Sequence, residues 1–99
     1  MTIRVAIINY GIGNIRSLYN SLTKIDVQAE IITNPESIHT YNKVFLPGVG
    51  SYKDVIKKLK QIGWDRAVKN FSSDKNKGLF GICLGMQILY EYSEEGMIE

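Results

Sequence analysis

Cys83 is the single cysteine among 99 residues, and it stands in Gly81-Ile82-Cys83-Leu84-Gly85-Met86-Gln87, after an apolar run and before a helix-forming one. That pattern reads as a nucleophile elbow. A side chain on a sharp strand-to-helix turn projects above the sheet edge, and flanking glycines are needed because a Cβ on either side collides with neighbouring backbone. Free N–H groups and the positive end of the helix dipole then favour a thiolate over a thiol. A buried structural cysteine is the commoner fate of a lone thiol, and glycine on both sides argues against it here. Two further glycine-bearing turns accompany the elbow: Tyr10-Gly11-Ile12-Gly13-Asn14 and Pro47-Gly48-Val49-Gly50.

The elements that must position these turns follow from periodicity. Residues 3–9 are short, β-branched and almost continuously apolar, as suits a central parallel strand covered on both faces. From Asn14, a plausible N-cap, Ile15, Leu18, Tyr19, Leu22 and Ile25 recur at spacings of three and four and define one helix face. A second strand fits residues 27–33, ended by Asn34-Pro35, with a short turn or helix over 36–40. Residues 43–46 read as a third strand that Pro47-Gly48 breaks. A helix from near Ser51 carries Tyr52, Val55, Ile56, Leu59 and Ile62 on its apolar side, and Lys53, Lys57, Lys58 and Lys60 read as its solvated face. Residues 64–71 look helical, 72–77 form a polar loop, 78–82 a fourth strand, and 84–92 a helix whose Leu84, Ile88 and Leu89 face the core. Strands alternating with helices predict an α/β, flavodoxin-like parallel sheet with helices on both faces. In such sheets ligands bind where loops leave the carboxyl ends of the strands, and all three glycine turns lie at such ends.

Bulk properties narrow the function. Twelve Lys and Arg against ten Asp and Glu leave a net charge of +2, too weak a field to suggest a nucleic-acid partner. One cysteine excludes an internal disulfide framework, and no apolar stretch approaches the roughly 20 residues that span a bilayer. The expectation is a single soluble domain over residues 1–99 in a reducing cytoplasm, with no membrane partner, no metal and no cofactor.

Taken together, the three motifs in this order resemble the class I glutamine amidotransferases, over the whole chain. The resemblance implies glutamine as substrate, with Cys83 as the nucleophile that forms a thioester and releases ammonia. It implies an oxyanion hole from the backbone N–H of Leu84 and of Gly48 or Val49. Gly50, Gln87 and Glu95 match positions that hold the substrate, although Gln87 also fits an exposed helix turn and Glu95 a solvated acid near a helix end. Gly11 and Asn14 lie in a segment facing a cyclase or synthase partner subunit, which makes the assembly a heterodimer. Whether the ammonia serves histidine biosynthesis or amidation of a surface-polysaccharide sugar stays open, as does an inactive interaction module. A nucleotide site at Gly11-Ile12-Gly13 fails the dinucleotide fingerprint, since Arg16 stands where the third glycine belongs.

The family's general base and its orienting acid come from a His-x-Glu segment well downstream of the nucleophile. The one histidine here, His39, precedes Cys83 and reads as a solvated surface residue. The chain therefore looks like the N-terminal half of a longer enzyme, lacking the catalytic His and Glu, with a sheet edge left to aggregate when these residues are expressed alone.

Overall fold

The computed structural model describes residues 3–11, 13–48 and 52–83. Four parallel strands, β1 (Val5–Ile8), β2 (Ala29–Ile32), β3 (Lys43–Gly48) and β4 (Gly78–Cys83), lie in the order β2-β1-β3-β4. Helices α1 (Ile15–Lys24), α2 (Tyr52–Ile62) and α3 (Trp64–Ser72) and a 3₁₀ turn at Pro35–Thr40 connect them. From β1 the chain steps to one side of the sheet, and from β3 to the other, so right-handed crossovers place α1 and the α2–α3 pair on opposite faces. The burial pattern agrees. Ala6, Ile8, Val44 and Leu46 pack with Val55, Leu59, Trp64, Val68 and Phe71 on one face, while Val5 and Phe45 line a groove with Leu22 of α1 on the other. The flavodoxin-like arrangement anticipated from the sequence is present.

The α1 face is the thinner of the two. There Phe45 and Phe80 stack with centroids 5.3 Å apart, and Phe80 is 41 % exposed. Among the described residues no helix is long and apolar enough to cross a membrane.

Several boundaries differ from the sequence expectation for identifiable reasons. β2 starts at Ala29 because the N–H of Val27 is spent on the Leu22 carbonyl, 2.9 Å away, in the turn that closes α1. Asp26 sits at φ +62 in that turn, and Ile25, expected on the apolar helix face, lies past the last helical turn and is 68 % exposed. Pro47 does not break β3. The strand continues in register, Pro47 beside Ile82 and Gly48 beside Cys83. A proline is tolerated where its missing N–H has no partner to serve, and the ladder between β1 and β3 ends at Ile7 beside Phe45, before Pro47 is reached. The helix expected over 84–92 lies outside the described residues.

Candidate functional site

The carboxyl ends of β1, β3 and β4 meet at one edge of the sheet. Because β3 and β4 run in register through their last residues, Gly48 and Cys83 stand side by side, and neighbouring strands lie about 4.8 Å apart. A residue at the end of β4 and a peptide leaving β3 can therefore address one substrate atom. Cys83 closes β4 as far as the described residues go.

The β1–α1 turn closes onto the same place. Asn9 accepts the Gly11 N–H through Oδ1 at 3.1 Å. The chain then turns through Gly11 at φ +91 and Gly13 at φ +111, a region where side chains are strained. A Cβ on Gly13 would stand 3.0 Å from the Pro47 Cβ and 3.5 Å from the Gly48 nitrogen, so glycine is required by contact as well as by conformation. Asn14 caps α1 as anticipated, its Oδ1 accepting from the Ser17 N–H at 3.2 Å.

Tyr10 is the residue the sequence reading passed over, taking it only as the opening of a glycine turn. It is 1 % exposed, and its hydroxyl donates to the Pro47 carbonyl at 2.6 Å. Burial pushes the phenol up to about 12, so it remains a donor throughout the neutral range. In a parallel strand the N–H and C=O of one residue point to the same side. Tyr10 thus meets Pro47 on the side where β1 has ended.

Of the residues assigned from sequence, Gly48, Cys83, Gly11 and Asn14 fall at this edge, with Gly11 and Asn14 both exposed. Val49, Gly50, Leu84, Gln87 and Glu95 lie outside the described residues. His39 is exposed within the 3₁₀ turn that precedes β3, at the opposite end of the strands, which agrees with leaving it out of the chemistry. A cleft of about 360 Å³ lined by His39, Arg66 and Lys77 lies beside the amino-terminal starts of β3 and β4 and takes no part in the edge. Lys58 of α2 reaches the glycine turn, its Cε 3.3 Å from where a Gly11 Cβ would be.

Comparison with known proteins agrees with the motifs. Residues 6–99 match the family model described as glutamine amidotransferase class-I. Among similar curated proteins are the imidazole glycerol phosphate synthase subunits HisH of Sulfurimonas denitrificans, 42 % identical over 91 residues, and of Wolinella succinogenes, 44 % identical over 91 residues. Each alignment covers 92 % of this chain and 44 % of the relative. The HisH subunit of Prochlorococcus marinus is 37 % identical over 99 residues, which is 100 % of this chain and 46 % of that protein. The chain spans about half the length of the curated relatives it matches. On the family match and the parallel sheet that carries its motifs, the chain belongs to the class I glutamine amidotransferases.

Proposed function

We propose that this chain is the nucleophile-bearing half of a glutaminase subunit that supplies ammonia to a synthase. The observation that carries the reading is the register pairing of Cys83 with Gly48 at the carboxyl edge. The Cys83 thiolate attacks the side-chain carboxamide carbon of glutamine, forming a C–S bond and pushing the carbonyl electrons onto oxygen. The oxyanion is met by the backbone N–H of Leu84 and of Gly48 or Val49. Collapse breaks the C–N bond, and the leaving nitrogen takes a proton and departs as ammonia. Water then hydrolyses the thioester to glutamate. Gly50, Gln87 and Glu95 hold the substrate's amide, ammonium and carboxylate groups. Proton transfer falls to a general base and an orienting acid of the His-x-Glu kind.

The names of the relatives support imidazole glycerol phosphate synthase as the assembly, hence a cyclase partner in a heterodimer, a place in histidine biosynthesis and a cytoplasmic address. Gly11 and Asn14, exposed on the β1–α1 turn, face that partner. The test is made on the intact subunit in complex with its synthase partner. Cys83→Ala abolishes glutamine-dependent turnover and leaves the reaction with free ammonia intact, because only the ammonia source is lost. Loss of both, or retention of both, overturns the assignment.

A further inference from the structure

We propose that the cleft between the 3₁₀ turn and α3 binds a small amphipathic zwitterion, of the class of a free α-amino acid with an apolar side chain. The cleft lies at the amino-terminal end of the strands, opposite Cys83, and binding there is independent of the glutamine chemistry.

The cleft holds about 360 Å³, within the ~300–1,000 Å³ usual for small-molecule pockets. Its floor is apolar and fixed. Ile38 and Phe71 are each 5 % exposed, and Ala67 packs against the same core. Besides His39, the charged side chains lining it are Glu36 of the turn, Arg66 of α3, and Asp74 and Lys77 of the loop before β4. Two of these four are engaged in holding the backbone. Lys77 donates to the His39 and Tyr41 carbonyls at 2.7 Å each, and Asp74 accepts the Asn76 N–H at 2.9 Å. The other two are not. Among the described residues neither Glu36 nor Arg66 makes a side-chain hydrogen bond or an ion pair, with each other or with any other group.

What remains is one negative and one positive charge, carried by two different elements beside an apolar floor. A simple anion drawn to Arg66 is repelled by Glu36, and a simple cation drawn to Glu36 is repelled by Arg66. A ligand bearing both charges satisfies both and gives its apolar part to Ile38, Ala67 and Phe71. The guanidinium of Arg66 presents paired donors in one plane, the geometry a carboxylate accepts. Asn70 stands four residues further along α3, on the same helix face and in the same cleft, and adds an amide donor. Glu36 is left to accept from an ammonium. An α-amino acid carries ammonium, carboxylate and side chain on a single carbon.

The test is calorimetric titration of the intact subunit, in complex with its synthase partner. The probes are L-phenylalanine and two analogues that each lack one charge, 3-phenylpropionate and phenethylamine. The wild-type protein binds phenylalanine saturably in the millimolar range, and each analogue about five- to tenfold more weakly. Arg66→Gln weakens phenylalanine by that factor and removes its advantage over phenethylamine, which has no carboxylate. Glu36→Gln removes its advantage over 3-phenylpropionate, which has no ammonium. Both side chains are exposed, so neither substitution reaches the core, and each variant carries half of the test by itself. Absence of saturable phenylalanine binding overturns the proposal. Binding that neither substitution weakens also overturns it, because the ligand then lies elsewhere. Equal binding of phenylalanine and both analogues does the same, since it marks adsorption to apolar surface. Glutamine turnover is not a readout, so failure of the glutaminase reading would leave this result standing.

Discussion

The two ends of the sheet are fastened in different ways. At the carboxyl end the contacts involve backbone and glycine: Tyr10 on the Pro47 carbonyl, Gly13 against the Pro47 ring, Gly48 beside Cys83. At the amino end long polar side chains do the joining. The Lys77 ammonium donates to the carbonyls of His39 and Tyr41, at 2.7 Å each. The Arg4 guanidinium pairs with Glu30 at 2.8 Å and lies 4.5 Å over the Tyr41 ring, while Asn42 accepts the Arg4 N–H at 2.7 Å. Beside Pro47 there is no room for even a Cβ at Gly13, and the aromatic Tyr10 meets Pro47 from a buried position. The amino end is joined instead by side chains that cross from one element to another.

If that division is real, damage at the carboxyl end costs activity beyond what it costs in stability, and damage at the amino end does the reverse. The sharpest way to break the comparison is Gly13→Val. It adds two methyl groups where even a Cβ is 3.0 Å from Pro47, at φ +111, and backbone strain of this kind costs about 1–3 kcal/mol. We expect loss of glutamine turnover by well over tenfold, with melting lowered by an amount appropriate to that strain. Turnover near wild type would show that the turn does not bear on the site.

Next in size is Lys77→Met at the other end, which keeps the aliphatic stem and removes both hydrogen bonds from the ammonium to the 3₁₀ turn. Bonds to a charged group contribute about 1.5–3 kcal/mol, and the one to His39 is exposed while the one to Tyr41 is partly buried, which keeps the sum toward the low end. The expected loss is about 2 kcal/mol in denaturant unfolding, with kcat and KM for glutamine unchanged. A fall in kcat without a fall in stability would contradict the division of roles.

Much of the carboxyl end was legible in the sequence because glycine is an explicit mark. Gly11 and Gly13 stand at positive φ, where side chains are strained, and the strand-helix alternation was enough to bring that turn, Gly48 and Cys83 to one edge. What the sequence did not mark was Tyr10, since an aromatic residue before a glycine turn looks like any core residue until its hydroxyl is seen to end on Pro47. Pro47 was misread for a related reason. Whether a proline breaks a strand depends on whether a neighbour needs its N–H, and that is decided by where β1 stops. The amino end was illegible throughout. Lys77 is 38 residues from His39 and 36 from Tyr41, and no local pattern distinguishes it from the other lysines.

The two phenols give the comparison a pH dependence. Burial raises Tyr10 to about 12, and Tyr41 is raised first by its hydrogen bond to Glu30 and then by burial. A phenol whose folded pKa lies above its unfolded value near 10 stabilises the fold fully below pH 10, and the contribution is lost as pH rises through the folded value. Stability should fall between about pH 10 and 12, and Tyr10→Phe should flatten part of that fall in alkaline unfolding curves. An unchanged alkaline limb in that variant would mean the phenol is not protected as its burial implies.

The smallest effect belongs to the Arg4–Glu30 pair, whose side chains are 45 % and 57 % exposed. Hydrogen bonds from Tyr41 and then Arg4 hold the Glu30 carboxyl below its usual value. Its contribution is therefore present above the ordinary carboxylate range and lost as pH falls through the lowered folded value. Exposure limits how much that matters, because two flexible chains must be held together in a medium that screens them. Arg4→Gln should lower melting by less than Lys77→Met does. Most of the difference from wild type should disappear at about 1 M salt, where the screening length is about 3 Å. A loss that persists at high salt would point instead to the guanidinium stacked on Tyr41, a contact of packing and quadrupole that salt screens less, and would make the ring, not the carboxylate, the partner that secures the amino end.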